Sequence, residues 1–422
     1  MTQRDPKASP HQASANTQSL TLDSLIETLS EWQEHHATHS DSASQLLDSL
    51  ARQITLCLGG LGDALQGDED QRRLKALGGW LWESVERLTP QIETRAHRAL
   101  PCSWARDHGD HRLIDDNQVL LAQAVGRVAE QCGIDACQDP AEDLASLLVG
   151  LKMAGRQELA RDALDRYLRH SGDYPIARLL SFYLVLASLR AAWAALHQQT
   201  HEALGEMSPS SWMVEHLGLA RGYLSLAEQY AEFRFPPLII GVGVSGSGKS
   251  RFTRTLVTGL GAVRLTSYSE RRRVSEFKNN PQQGESACPV DKYSPEITAA
   301  TYQRLADCIG WLLDGGIPAC VDSTSLTREQ RRLLWQQAEK RGLPVLLVSF
   351  EADETTLRRR LGKRAVRLGM TEAECLALFD TQRQAFEPFD DEERLHLVRL
   401  DTTADNAAET LASLIKENVR FC

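Results

Sequence analysis

Apolar residues recur at every third or fourth position through most of the chain before residue 230. Leu144, Leu147, Leu148 and Leu151 follow this spacing, which is typical of a helix that buries one face. Asp139, which a proline follows, predicts where that helix begins, because a proline in the first turn needs no N–H partner. We find no convincing alternation of apolar and polar residues before residue 230. This part of the chain is therefore predicted to be helical almost throughout.

After Phe235 the pattern changes to short β-rich runs that are separated by helical stretches. These runs lie at 238–242, 319–321, 344–350 and 396–400. Strands that alternate with helices predict a parallel sheet covered on both faces, which is a doubly wound α/β fold. The predicted fold class is therefore an α/β domain preceded by an all-α domain.

The net charge changes at the same position. The 422 residues include 47 basic and 57 acidic ones, and 26 basic and 25 acidic residues lie from Pro237 onward. The step supports a boundary between a helical domain at 20–235 and an α/β domain at 236–422. The Ser, Gln, Pro and Ala content of residues 1–19 predicts a disordered tail. The net charge of −10 argues against a protein that binds nucleic acid mainly by neutralising phosphates.

Neither a membrane-spanning segment nor a disulfide framework is expected. The longest strongly apolar stretch, Leu179 to Leu189, has 11 residues and is too short to cross a bilayer. The N-terminus has no apolar core of the signal-peptide type. The nine cysteines are irregularly spaced, which supports neither paired disulfides nor a zinc site. We therefore predict a cytoplasmic protein.

A phosphate-binding loop is the most specific motif in the chain. The segment fits G-x-x-x-x-G-K-[ST], the Walker A pattern, and its place between a predicted strand and helix disfavours a chance Gly/Ser-rich turn. Lys249 is expected to reach the β- and γ-phosphates of ATP, and Ser250 to give its hydroxyl to Mg²⁺. The helix N-terminus adds a favourable dipole. The predicted nucleotide-binding residues are Gly243, Val244, Ser245, Gly246, Ser247, Gly248, Lys249 and Ser250.

A carboxylate follows the apolar run at 319–321. Open parallel sheets place their active sites at the carboxyl ends of the strands, so Asp322 is a candidate catalytic and metal-binding residue. It would hold Mg²⁺ through water or accept the proton of an attacking hydroxyl. The alternative is that Asp322 only caps the next helix, a role for which Thr327 competes.

An arginine-rich segment, 358–367, supplies two further candidates. Arg360 and Arg364 are four residues apart and share one face of a predicted helix. Guanidinium groups that close over ATP stabilise charge on the transferring phosphoryl group, so both are candidate catalytic residues. The alternative is a solvated helix surface.

From residue 237 to the C-terminus, the sequence resembles P-loop kinases of the group that includes polynucleotide 5′-hydroxyl kinases, gluconate kinases and zeta toxins. The basis is the loop, the Asp322-Ser-Thr strand end with Arg328 and Arg331 after it, and the arginine-rich segment. The resemblance implies transfer of the γ-phosphoryl group of ATP, with Mg²⁺, to a hydroxyl of a small-molecule or nucleotide acceptor. It also implies that Arg271 and Thr324 bind that acceptor.

One position departs from the pattern of these kinases. Tyr268 stands where they usually have an aspartate that orients or deprotonates the acceptor hydroxyl. A phenol with a pKa near 10 is a poor base at neutral pH. Asp322 or Glu270 would have to substitute for that aspartate in transfer to the usual acceptors.

The segment from about 42 to 230 resembles the C-terminal lobe of aminoglycoside phosphotransferase-like proteins, which precedes such a kinase domain in many bacterial chains. His108-Gly109-Asp110 and the stretch around Asp143 are the basis. The metal-binding partners are missing, because Asp115 and Gln131 stand at their places. The resemblance therefore implies a scaffold, an acceptor-binding module or a surface for a protein partner.

Two functions of different classes follow from these residues. The first is an ATP-dependent kinase for a small molecule or nucleotide. The second is a nucleotide-dependent regulator or adaptor that binds or hydrolyses ATP without a dedicated acceptor, with a protein partner on the helical domain. Nucleic-acid end processing is a third and weaker hypothesis, since no aromatic stacking platform accompanies Arg271–Arg273.

Overall fold

The computed structural model describes most of the chain. The described residues are 19–37, 43–100, 104, 112–115, 118–121, 138–197, 209–278, 293–368 and 371–418. The predicted tail at 1–19 lies outside them, except that Ser19 begins a short strand.

The first half of the chain is mainly helical, as its apolar spacing predicts. Its helices are α1 (Leu22–His36), α2 (Ala43–Ala64), α3 (Asp68–Arg95), α4 (Pro140–Met153), α5 (Gln157–Ser171), α6 (Ala177–His197) and α7 (Pro209–Ala231). The predicted start of α4 is confirmed, because the Asp139 side chain accepts a hydrogen bond from Ala141 N and Pro140 is the first helical residue. We call residues 19–231 the helical region.

A small sheet interrupts this helical series, which the sequence pattern did not predict. It consists of β1 (Ser19–Leu20), β2 (Arg112–Asp115) and β3 (Gln118–Leu121), in the order β1-β2-β3. Strand β1 pairs parallel with β2, and β2 pairs antiparallel with β3. These strands have two to four residues, too few to show a clear alternation.

The helix α6 is the apolar centre of the helical region. Together with the preceding 3₁₀ turn it spans Tyr174–His197, which is 24 residues. Its most apolar window of 18 residues has a mean hydropathy of 1.7 and is longer than the 11 residues counted from sequence. Its length and composition would suffice to cross a membrane, but 83% of its most apolar window is buried inside the protein. It therefore packs as a core helix.

The second half of the chain forms a five-stranded parallel sheet with helices on both faces, and the predicted fold class is confirmed. The strands are β4 (Leu238–Val242), β5 (Val263–Thr266), β6 (Ala319–Asp322), β7 (Val345–Glu351) and β8 (Leu397–Asp401), in the order β5-β6-β4-β7-β8. The helices are α8 (Lys249–Leu260), α9 (Ser267–Lys278), α10 (Pro295–Asp314), α11 (Arg328–Glu339), α12 (Glu354–Leu368), α13 (Glu372–Gln384), α14 (Asp391–Leu395) and α15 (Ala407–Asn418). We call residues 238–418 the α/β region.

Alternate residues of the central strand β4 enter two different cores. Ile239 packs with Phe252 of α8 on one face of the sheet. Leu238 and Ile240 belong to a second core, which is shared with the helical region and includes Leu179 of α6. Because side chains alternate across a strand, one five-residue segment joins both layers.

The two regions also approach closely at the end of α10. A Cβ atom added to Gly315 would lie 2.2 Å from the carbonyl oxygen of Ala177, so only glycine fits there without movement. Arg178 and Arg341 both pair with Asp314 beside this contact, at 2.7 and 2.6 Å. The helical region thus covers one face of the sheet.

Candidate nucleotide-binding site

The predicted phosphate-binding loop lies directly between β4 and α8. Gly243, Gly246 and Gly248 have φ angles of 146°, 85° and 99°, which L side chains rarely adopt. A Cβ atom on Gly243 would also lie 2.8 Å from the carbonyl oxygen of Phe350. The glycines of the motif are therefore required by backbone conformation and, at Gly243, by the neighbouring strand.

The Lys249 side chain folds back over this loop. Its Nζ donates to the carbonyl oxygens of Gly243 and Val244, at 2.6 and 2.9 Å. The residue is only 8% exposed, whereas Ser250, next in the first turn of α8, is exposed. An ammonium group held at the mouth of the loop is positioned to meet phosphate oxygens.

Asp322 ends β6 beside the loop and is 8% exposed. The side chain of Thr327 accepts a hydrogen bond from Gln330 N and caps α11 in a complete capping box, so the cap role belongs to Thr327. The predicted acceptor-binding residue Thr324 reaches the loop through its backbone, since its carbonyl oxygen accepts from Gly243 N at 3.0 Å.

Strained backbone holds the turn after Asp322. Ser325 is fully buried, has a φ of 45° and donates its N–H to the Tyr302 hydroxyl at 3.0 Å. Arg331 is also fully buried and pairs with Glu393 at 2.5 Å, while it donates to the carbonyl oxygen of Leu326. Arg331 therefore fixes this turn rather than facing a ligand.

Arg360 reaches the phosphate-binding loop from α12. Its Nη1 donates to the Gly246 carbonyl oxygen at 3.3 Å and to the Thr402 hydroxyl at 2.9 Å. The backbone of Arg364 is helical, but its side chain lies outside the described residues. The structure thus places the side chain of Arg360 at the loop.

Arg271, which is predicted to bind the phosphoryl acceptor, lies near the start of α9. Arg271 donates to the Thr298 hydroxyl at 3.0 Å and lies over the Tyr293 ring, while Tyr268 is 64% exposed in the first turn of α9. Glu270 is fully buried and pairs with Arg273 and Arg304. A buried, paired carboxylate does not face an acceptor, so Glu270 does not replace the missing aspartate.

Two side chains at the loop were not singled out by sequence reasoning. Gln382 of α13 accepts a hydrogen bond from Ser245 N at 2.8 Å, although nothing in its local sequence marks it. Arg264 of β5 donates to the Ser250 carbonyl oxygen at 3.1 Å and lies 3.9 Å from Asp322. A pocket of about 290 Å³ opens between the loop, α12 and α13, and it is lined by Val244, Glu354, Leu357, Phe379, Arg383 and Phe386.

The helical region contacts this site through α5. Arg161 donates to the carbonyl oxygen of Gly259 at 3.0 Å and so satisfies the last turn of α8. One turn later, the Asp165 carboxylate accepts from Arg264 N at 2.7 Å. Burial raises the pKa of Asp165, although Arg169 and Arg264 oppose that shift. Helix α5 therefore supports both the loop helix and the edge strand of the sheet.

The oxygen donors at the loop fit a magnesium ion that arrives with a nucleotide. A serine hydroxyl and one carboxylate, Ser250 and Asp322, are hard ligands of the kind that Mg²⁺ takes alongside phosphates and water. In the described part of the chain, no group of three or more His, Cys, Asp and Glu side chains forms a separate metal centre.

The residues on which the predicted phosphotransferase-like resemblance depends lie partly outside and partly inside the described residues. His108-Gly109-Asp110 and Gln131 lie outside the described residues, and so does the side chain of Asp115. In the stretch around Asp143, the Asp139 carboxylate pairs with the buried Arg95 at 2.9 Å and so joins α3 to α4. Asp173, which follows α5, pairs with the same arginine at 2.7 Å.

Comparison with known proteins agrees with the α/β topology. Residues 238–389 match a family model described as an AAA domain. Among curated protein sequences, none matches the chain.

Solved structures that are similar to the chain include three kinases. A sugar kinase from Janibacter sp. HTCC2649 is 18% identical, covers 44% of this chain and 96% of its own, and has a TM-score of 0.33. A gluconokinase from Sinorhizobium meliloti is 23% identical, with 45% and 98% covered and a TM-score of 0.31. An APS kinase from Mycobacterium tuberculosis, in complex with AMPPNP and APS, is 20% identical, with 44% and 99% covered and a TM-score of 0.31. Residues 238–389, which include the phosphate-binding loop, are similar in sequence to the AAA-domain model and lie within the α/β region.

Proposed function

We propose that this protein is a kinase that transfers the γ-phosphoryl group of ATP to a hydroxyl of a small molecule or nucleotide. The observation that supports it most is the convergence of three side chains on one loop. Lys249 folds over it, Arg360 reaches it from α12, and Asp322 ends the adjacent strand. A triphosphate site with an ammonium, a guanidinium and a carboxylate has the groups that phosphoryl transfer requires.

Each group would have a distinct role. The backbone N–H groups of 246–250 and the start of α8 would bind the β-phosphate, and Lys249 would exchange its carbonyl partners for phosphate oxygens. Ser250 and Asp322 would hold Mg²⁺, which offsets charge on the phosphates. Arg360 would stabilise charge that develops during transfer. Arg271 and Thr324 are the proposed acceptor-binding residues, and Arg364 stays a candidate catalytic residue beside Arg360.

Transfer of label from γ-labelled ATP to a panel of sugars, nucleosides, other metabolites and 5′-hydroxyl oligonucleotides tests this function. We expect label on a small-molecule acceptor with the wild-type chain and none with Lys249→Ala. Label on no compound in the panel, from protein that binds ATP, would contradict the kinase assignment.

The positions of Tyr268 and Glu270 favour a second function. Tyr268 is exposed where an acceptor aspartate is expected, and Glu270 is buried. A nucleotide-dependent regulator that binds or hydrolyses ATP needs neither carboxylate. ATP affinity without transfer, together with a protein partner whose binding depends on ATP, would favour the regulator.

We further propose that the chain divides near residue 235, and that the helical region is a phosphotransferase-like lobe that acts as a scaffold or a partner surface. Its described contacts to α8 and β5 support the scaffold role. The cytoplasmic location stays a prediction.

A further inference from the structure

A buried arginine contacts the backbone of Ser250 and lies near the Asp322 carboxylate. Arg264 is 7% exposed, and its Nη1 donates to the Ser250 carbonyl oxygen at 3.1 Å. The same nitrogen lies 3.9 Å from Oδ2 of Asp322, close enough for charge attraction but too long for a hydrogen bond. Arg264 Nε is buried and has no hydrogen-bond partner among the described residues.

The charge of this guanidinium is only partly compensated. A buried charge is costly unless it is paired and fully hydrogen-bonded. The two described carboxylates near Arg264 are Asp322, at ion-pair distance, and Asp165, which binds its backbone N–H. Arg264 therefore keeps a positive charge beside the first turn of α8, where phosphates are proposed to bind.

We propose that Arg264 is a built-in counter-ion of Asp322, which makes nucleotide binding depend only weakly on Mg²⁺. The inference rests on the proposed nucleotide site. Two effects lower the dependence of nucleotide binding on Mg²⁺. The guanidinium competes with the metal for the carboxylate, and it adds positive charge near phosphates that carry no metal. The Asp322 side chain would then meet the metal with part of its charge already neutralised.

The test compares ATP affinities in excess Mg²⁺ and in excess chelator by calorimetry. For the wild-type chain we expect the two dissociation constants to lie within about tenfold of each other. The ratio of the dissociation constant in chelator to that in Mg²⁺ should rise by about tenfold or more in Arg264→Gln, since the removed charge is within 4 Å of the carboxylate. Mn²⁺, followed by electron paramagnetic resonance with ATP present, should bind more tightly to this variant.

Two variants control for charge and for folding. Arg264→Lys keeps the charge and should retain the wild-type ratio, and Arg254→Gln removes an exposed arginine of α8 and should leave the ratio unchanged. A hundredfold loss of wild-type affinity in chelator would overturn the inference, and so would an unchanged ratio in folded Arg264→Gln. If Arg264→Gln does not fold, the wild-type ratio and Arg264→Lys decide. Absence of nucleotide binding by the folded wild-type chain would refute the proposed function itself.

Discussion

Replacing Asp165 with alanine tests how the helical region supports the nucleotide site. The Asp165 side chain is buried, and its Oδ1 accepts the N–H of Arg264 on the edge strand β5 at 2.7 Å. Alanine leaves this buried donor without its acceptor, a loss that costs about 1–3 kcal/mol. It also removes the ion pair with Arg169 at 2.8 Å. We expect Asp165→Ala to lower the free energy of unfolding by about 2–3 kcal/mol.

Two matched variants isolate the hydrogen bond. Asp165→Asn keeps an acceptor oxygen and removes a carboxylate whose pKa is raised by burial. This variant should therefore lower the free energy of unfolding by less than about 1 kcal/mol. Asp162→Ala, one turn earlier, removes a partly exposed pair with Arg166 and should cost about 0–1 kcal/mol. Urea unfolding followed by circular dichroism measures stability, and calorimetry measures ATP affinity, which should fall only in Asp165→Ala. Equal losses in Asp162→Ala and Asp165→Ala would refute this reasoning.

Three further predictions concern the site and the core. Lys249→Ala should weaken ATP binding by about 2–3 kcal/mol, roughly 30- to 150-fold, because a charged donor to phosphate is lost; unchanged affinity with retained fold would contradict its assignment. Tyr268→Asp should raise label transfer to an acceptor by about 100-fold, since it restores a base at an exposed position; unchanged transfer would show that this carboxylate is not limiting. Burial raises the pKa of Glu142 from 4.5 to about 7, so the folded state binds more protons than the unfolded one across this range. The free energy of unfolding should therefore fall as pH rises from 4.5 to 7, by up to about 1.4 kcal/mol per pH unit, and Glu142→Gln should flatten that slope in urea titrations.

The sequence predicted the local parts of the site because each follows from a short pattern. The glycines, Lys249 and Ser250 form one contiguous motif, and Thr327 carries its own capping partner three residues later. Asp322 could be placed because strand ends in parallel sheets share one edge. These inferences need only neighbours in sequence or a general rule of topology.

Contacts between distant segments could not be predicted in this way. Gln382 meets Ser245 across 137 residues, and Arg264 meets Asp165 across 99. The burial of Glu270, which removes it as a substitute base, depends on Tyr174 and Arg304 from other elements. Nothing in the residues next to Gln382 or Glu270 signals these partners.

By itself, the amino-acid sequence determined the helical first half, the parallel sheet and the phosphate-binding loop, because periodicity and glycine conformation act over a few residues. Tertiary structure alone decided which polar side chains face the loop. Burial and charge pairing depend on which surfaces meet, and here α5 meets the edge of a sheet formed about a hundred residues later in the chain. Tertiary structure also places Arg264 beside Asp322 and leaves Tyr268 exposed.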